Sequence, residues 1–268
     1  MGEDLTRSVF IESHYTRPPS QEVVFASDRS GASLDPDNMC GRYSYSGNPH
    51  QVTSRLGMAA EVSTPRYNVG PGQVAALIRS VEGKAPAMDA LEWGLLPFWA
   101  STSAHASRSI NARSETAAEK PTFRAPFRYR RCLILADGFF EWQRLGRVSQ
   151  AWRFLLEDES VFGFAGLWDY WHGPDGGLVE TFTILTTDAN PLVRPLHHRM
   201  PVILDPQHWE PWLDSRFHDV TALRPWLVPL ASEKMKHYPV GDWVHTLEVD
   251  DDRCIAPLPL PPEQGQLF

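Results

Sequence analysis

Cys40 lies in the run MCGRYS, Met39 to Ser44, and its position directly after a methionine opens one particular chemistry. If translation starts at Met39 and that methionine is removed, Cys40 becomes the N-terminal residue. It then carries an α-amine and a thiol on adjacent carbons. With an ordinary pKa of about 7.7–8.0, the amine is partly unprotonated at neutral pH. A free amine condenses with an aldehyde to an imine, and the neighbouring thiol closes a five-membered thiazolidine. An internal cysteine cannot do this, because its nitrogen is an amide. The competing reading is a buried structural cysteine, which is the commoner use of the residue.

Four further segments carry candidate chemistry. WGLLPFW, Trp93 to Trp99, places two Trp within seven residues; they are core or they are platforms on which bases stack. In SINARSET, Ser109 to Thr116, the polar residues Asn111 and Arg113 flank Ala112. Arg113 suits bidentate phosphate binding, or it is a surface Arg near a helix start. In DGFFEW, Asp137 to Trp142, Glu141 is hemmed in by Phe139, Phe140 and Trp142. Apolar company disfavours a charged carboxylate and suits it to proton transfer; the alternative is an edge-strand Glu facing solvent. LHHRMP, Leu196 to Pro201, holds adjacent His197 and His198, which project differently and do not both serve one site. No HExxH, GxSxG, P-loop or GxGxxG occurs, so zincin, α/β-hydrolase and nucleotide-binding readings lack support.

The elements that must position these residues follow from composition and pattern. The chain has 268 residues, 42% hydrophobic and 22% charged, with ten Trp and thirteen Phe, enough for a real core. No apolar run reaches the ~20 residues of a membrane span, and the acidic start MGEDLTRSVF is not a secretory signal. Three widely spaced cysteines argue against a disulfide scaffold and a cysteine-rich zinc site. Residues 1–38 read as a polar tail, 39–255 as one domain and 256–268 as a Pro-rich tail. Strand-like runs recur at Val74–Ile78, Cys132–Ala136, Ala151–Leu156, Val161–Leu167, Thr181–Thr187 and Val202–Leu204. They follow one another without long helices, which favours a largely antiparallel sheet. Short helices are expected from Ser114 to Lys120, from an Asp205 cap through Leu213, and from an Asp219 cap through Trp226. The net charge of −8 hides a basic island: residues 105–131 hold seven basic side chains against two acidic ones. That island is a local phosphate site or a solvated helix face.

Taken in order, MCGRYS, YNVGPGQ (Tyr67 to Gln73), WGLLPFW, NARSET, DGFFEW, TTDAN (Thr186 to Asn190) and H-x-R-M-P resemble the SRAP family of SOS-response-associated peptidases, or abasic-site processing proteins. The resemblance implies one α+β domain around a curved, barrel-like, mainly antiparallel sheet with short flanking helices and a positive groove for single-stranded DNA. By the same resemblance Cys40 bonds covalently to the aldehyde of a ring-opened abasic site, and Asn111 positions the Cys40 end and the lesion. Glu141 manages protons at the α-amine, and His197 assists sugar ring opening and crosslink reversal. Arg42 and Arg113 match phosphate contacts, and Pro71 and Trp93 match groove-lining positions. The implied protein is a cytoplasmic monomer, nucleoid-associated on DNA, with no cofactor and no metal. Its partner is single-stranded DNA bearing abasic sites, and autopeptidase and lyase activities accompany the crosslink. The chain departs from the family pattern in one respect: Cys40 stands behind 39 residues. Translation from Met39, self-cleavage of the tail, or a dead site each account for this. The competing functional classes are a cysteine peptidase without DNA chemistry and a non-catalytic single-strand binder.

Overall fold

The computed structural model describes residues 41–58, 64–81, 84–102 and 109–259, which all fall in one unit running from Pro36 to the C-terminus. Cys40 lies outside the described residues, as do Arg108 and the expected tails apart from residues 256–259. The described part holds thirteen strands: β1 (Tyr43–Tyr45), β2 (Arg66–Val69), β3 (Val74–Arg79), β4 (Ala87–Trp93), β5 (Asn111–Arg113), β6 (Arg131–Ala136), β7 (Gly138–Leu145), β8 (Val148–Leu156), β9 (Phe162–His172), β10 (Leu178–Asp188), β11 (Arg199–Pro201), β12 (Ile203–Leu204) and β13 (Met235–Pro239). Each expected strand run falls on one of these. The helices are short, so this is an α+β domain dominated by sheet.

Five strands close into a barrel. β10 pairs with β4, β4 with β3, β3 with β6, β6 with β9, and β9 with β10 again. Only the β4–β10 step in this ring is parallel, through Glu92↔Thr181 and Trp93↔Phe182; the other four are antiparallel. The eleven-residue strands β9 and β10 outrun the barrel and carry extra partners. β5 joins β10 in parallel, β11 joins it antiparallel, and β12 joins β9. Neighbouring strands crowd Gly166, where an added Cβ would meet Ile134 Cδ1 at 2.0 Å and Cys132 Sγ at 2.9 Å, both on the adjacent strand β6. Only glycine fits there.

A second sheet, in the order β13-β8-β7-β1-β2, packs against the barrel. Its contact is aromatic. Phe139 of β7 stacks on Phe154 of β8 at 5.2 Å and meets Phe164 of β9 edge-on at 6.3 Å. Tyr43 of β1 sits edge-on to both Trp93 and Phe164, at 5.3 and 5.8 Å. Such edge-to-face pairs add about 0.5–1.5 kcal/mol each beyond burial. They nail the strand that follows Cys40 onto the barrel wall.

The helical expectations hold at their starts. Asp205 accepts from Gln207 N–H at 3.1 Å, and Asp219 from Thr221 and Ala222 N–H at 2.9 and 3.1 Å. The helix expected from Ser114 to Lys120 is shorter, Ser114–Ala117. The chain turns there toward Pro121, and a second helix, Arg124–Tyr129, follows that the pattern had not marked. Among the described residues no helix is long and apolar enough to cross a membrane.

Candidate active site

The strand leading from Cys40 is held between two partners. β1 pairs with β7 through Tyr43↔Phe139 and Ser44↔Gly138. The Phe140 N–H donates to Arg42 O at 3.0 Å, and one further step along this antiparallel register sets Glu141 opposite Gly41. A buried polar cluster fixes the register. Asp137 accepts from Ser44 Oγ at 2.6 Å, from Ser46 N–H at 2.6 Å and from Arg153 at 2.8 Å. Arg153 in turn donates to the Tyr238 hydroxyl at 2.7 Å. Glu141 is 5% exposed, on a strand with neighbours on both sides. The alternative of an edge-strand Glu facing solvent is therefore set aside.

The other candidate residues gather around β10. On one side β5 pairs Asn111↔Ile184 and Arg113↔Thr186. Ala112 points into the core, so Asn111 and Arg113 share the opposite face of the strand. Arg113 is exposed, and among the described residues its guanidinium has no ion pair. On the other side β11 pairs Arg199↔Asp188. Arg199 is buried and grips Glu115 through two bonds of 2.6 and 2.8 Å, with further bonds to Asp188 at 2.9 Å and Thr186 O at 2.6 Å. Burial works against its charge, but the carboxylates outweigh this and raise its pKa. Arg199 thereby ties the segment after Arg113 to the strand after His197. The H-x-R-M-P motif contained this residue, but sequence reading used only its histidine.

His197 is oriented by the backbone of that strand. Ala189 N–H bonds to His198 O, so in the alternating antiparallel ladder the N–H of Arg199 faces away from β10. That N–H donates to His197 Nδ1 at 3.0 Å. The Arg199 carbonyl lies 3.2 Å from the same Nδ1, so the backbone of Arg199 holds this nitrogen from both its N–H and its C=O side. The ring also stacks on exposed His198, 4.5 Å between centroids. The TTDAN motif places this turn: Asn190 accepts from Leu192 and Val193 N–H and donates to Leu230 O at 2.7 Å.

Three assignments change with the structure. Trp93, expected to line a DNA groove, is 0% exposed, so no base can stack on it. Its ring lies parallel to Phe182 and edge-on to Tyr43, and its Nε1–H bonds to Ile110 O at 2.8 Å. It therefore braces β1, which follows Arg42, and Ile110, which precedes Asn111 of β5. The exposed aromatics of the same motif are Phe98 and Trp99, 57% and 55% exposed. Arg42, matched to a phosphate contact, directs its terminal nitrogens inward, to Asn68 Oδ1 at 2.9 Å, Val244 O at 2.7 Å and His245 O at 3.4 Å. Burial pushes its pKa down to about 10. The basic island divides as well. Arg131 is buried and donates to the carbonyls of Phe127, Arg128, Trp212, Asp214 and Phe217, and Arg130 pairs with Asp169 at 3.0 Å. Arg113, Lys120, Arg124 and Arg128 remain exposed. Pro71 keeps a half-buried place in a tight turn. Gln73 N–H bonds back to Gly70 O, and Gly72 at φ 80 supplies the left-handed position after proline.

The family model for SOS response associated peptidase, SRAP, matches residues 39–247. The chain belongs to this family. Among relatives of this SRAP chain, the abasic site processing protein YoqW of Bacillus subtilis is 39% identical over 183 residues, covering 68% of this chain and 81% of that one. The abasic site processing protein HMCES of Gallus gallus is 32% identical over 227 residues, covering 73% and 67%. A crystal structure of a protein from Bacteroides thetaiotaomicron superimposes with a TM-score of 0.72 at 28% identity, covering 82% of this chain and all of that one. The shared fold is the barrel and sheet described above.

Proposed function

We propose that this SRAP protein processes abasic sites in single-stranded DNA by a covalent bond through Cys40. The observation that carries the reading is where the family match begins: at Met39, with Cys40 second, on the chain that enters β1 beside buried Glu141. The relatives' names, abasic site processing proteins, supply the substrate class. In the proposed sequence the Cys40 α-amine attacks the aldehyde carbon of the ring-opened sugar and water leaves, giving an imine. Sγ adds to the imine carbon, the thiol proton passes to nitrogen, and the thiazolidine is closed. Atoms balance with one water released, and no oxidant or cofactor is required. Glu141 takes the proton of the α-ammonium. His197 offers Nε2–H to the ring oxygen as the sugar opens, and Asn111 positions the lesion. Arg113 binds a phosphate, Trp99 takes the stacking role that sequence had given Trp93, and Arg42 holds the short helix Asp242–His245 beside the site.

Self-cleavage before Cys40 and strand cleavage from the imine by β-elimination extend this reading. The first accounts for a free amine in a chain that starts at Met1, and the second follows because an iminium acidifies the adjacent carbon. The test is the intact mass and N-terminal sequence of protein made in its native host. The expected N-terminus is Cys40, and active protein that begins at Met1 overturns the mechanism.

The exposed position of Arg113 leads to a second expectation. Arg113→Glu weakens binding to all single-stranded sequences about equally, because phosphate contacts carry no sequence information. It also reduces the salt dependence, by about 0.7 in the logarithmic slope for each phosphate that the variant no longer neutralises. Titration of a fluorescent oligonucleotide at several salt concentrations measures both; an unchanged slope removes Arg113 from the interface.

A further inference from the structure

Asp169 of β9 is a fully buried carboxylate that the proposed chemistry does not use. Its Oδ1 accepts from Tyr170 N–H at 2.9 Å and pairs with Arg130 at 3.0 Å, and its Oδ2 accepts from Phe98 N–H at 3.3 Å. Burial pushes its pKa up in spite of these partners. A charge kept in such a place is costly, and core packing alone would be served by an apolar residue. What the carboxylate reaches is the backbone of the segment that carries the exposed aromatics.

That segment is fastened at three points. Leu96 N–H bonds to Thr181 Oγ1 at 2.8 Å, Phe98 N–H bonds to Asp169, and Trp171 Nε1–H bonds to Ala100 O at 2.7 Å. Between the outer fasteners Phe98 and Trp99 hold adjacent rings in water. Arg130, which braces Asp169, also lies over the Tyr170 ring at 5.3 Å, so the brace is itself held. Two large rings presented on a pinned backbone have most of their ordering cost met before binding.

We infer that Asp169, braced by Arg130, is the positioning residue that preorganises the Phe98–Trp99 segment for base stacking. This rests on the reading that a DNA strand crosses this face. Without the carboxylate, Phe98 N–H and the Arg130 guanidinium lose a shared partner and the segment loses its central fastening. The rings then have to be ordered during binding. The loss falls on affinity and leaves the maximal crosslinking rate, set at Cys40, unchanged.

The experiment measures half-saturating DNA and maximal crosslinking rate for the parent and for Asp169→Asn, Asp169→Ala, Phe98→Ala, Trp99→Ala and the Asp169→Ala/Trp99→Ala double variant. Single-stranded oligonucleotides bearing one abasic site serve as substrate. Trp99→Ala weakens binding by about 5- to 150-fold, the loss of one stacked base. Asp169→Ala weakens it about tenfold or more, and Asp169→Asn by less, because one acceptor oxygen remains. In the Trp99→Ala background, Asp169→Ala costs clearly less than in the parent, since coupled residues are not additive, and what remains is carried by Phe98. An equal loss in both backgrounds, or a fall in maximal rate, marks a merely structural residue and overturns the inference. Asp169→Asn that folds, by near-ultraviolet circular dichroism, and binds like the parent while Trp99→Ala binds weakly overturns the positioning role alone. Parental binding by both Trp99→Ala and Phe98→Ala overturns the surface reading and the inference together.

Discussion

Cys40→Ala protein, incubated with a single strand bearing one abasic site, yields no species that survives SDS and heat, where the parent yields a shifted band. The expected effect is all-or-none, because the thiazolidine needs both nucleophiles. The α-amine of the variant still forms an imine, which borohydride traps and water otherwise hydrolyses. The other two cysteines are suitable controls for a structural reason. Cys132 is buried in the barrel beside Gly166, and burial pushes its thiol well above the ordinary range. Cys254 is buried with its Sγ on Val249 O, and burial raises its pKa too. Neither offers an accessible thiolate, so Cys132→Ala and Cys254→Ala crosslink like the parent. Stable crosslinking by Cys40→Ala, with loss in a Cys132 variant, reassigns the nucleophile.

Glu141→Gln and His197→Ala form the same crosslinked product as the parent, but about 10²- to 10⁴-fold more slowly, the usual contribution of a general acid–base step. Neither change removes the amine or the thiol, so the end point is preserved and the rate carries the information. Gln keeps the size of Glu141 in its buried place on β7 and removes its ability to take a proton. For His197 the Arg199 backbone occupies Nδ1, and in the proposed mechanism Nε2 handles the proton. Single-turnover time courses, sampled from seconds to days, measure both variants. Parental rates for either one remove that residue from the proton-transfer steps.

Much of the fold was legible because its strands announce themselves locally. Cys132–Ala136 is apolar over the length of a strand, Thr181–Thr187 is rich in β-branched residues, and Asp205-Pro206 and Asp219 carry the chemistry of helix starts. The closed barrel was not legible bottom-up. It depends on the parallel pairing of β4 with β10, between residues far apart in the chain at Glu92↔Thr181, and no local pattern encodes a long-range partner. The helix at Arg124–Tyr129 escaped notice because Pro126 interrupts its pattern; proline is tolerated there within the first turn.

The sequence by itself determined the chemistry that is available: an aminothiol if the chain starts at Cys40, a carboxylate among aromatics at Glu141, an imidazole at His197. These depend on residue type and on nearest neighbours along the chain, which are written in the order of letters. Tertiary structure alone decided which side chains of one type face the solvent and which face the protein. Trp93 and Trp99 belong to one motif, yet the first is sealed behind Tyr43 and Phe182 and the second stands in water. Arg113 and Arg131 belong to one basic island, yet the first is exposed and the second donates to five carbonyls. A guanidinium or an indole has the same intrinsic properties in either place. Its role is set by whether its hydrogen-bond donors and its ring faces are already occupied, and that occupancy arises only when β1 closes over Trp93 and the 212–217 segment closes over Arg131.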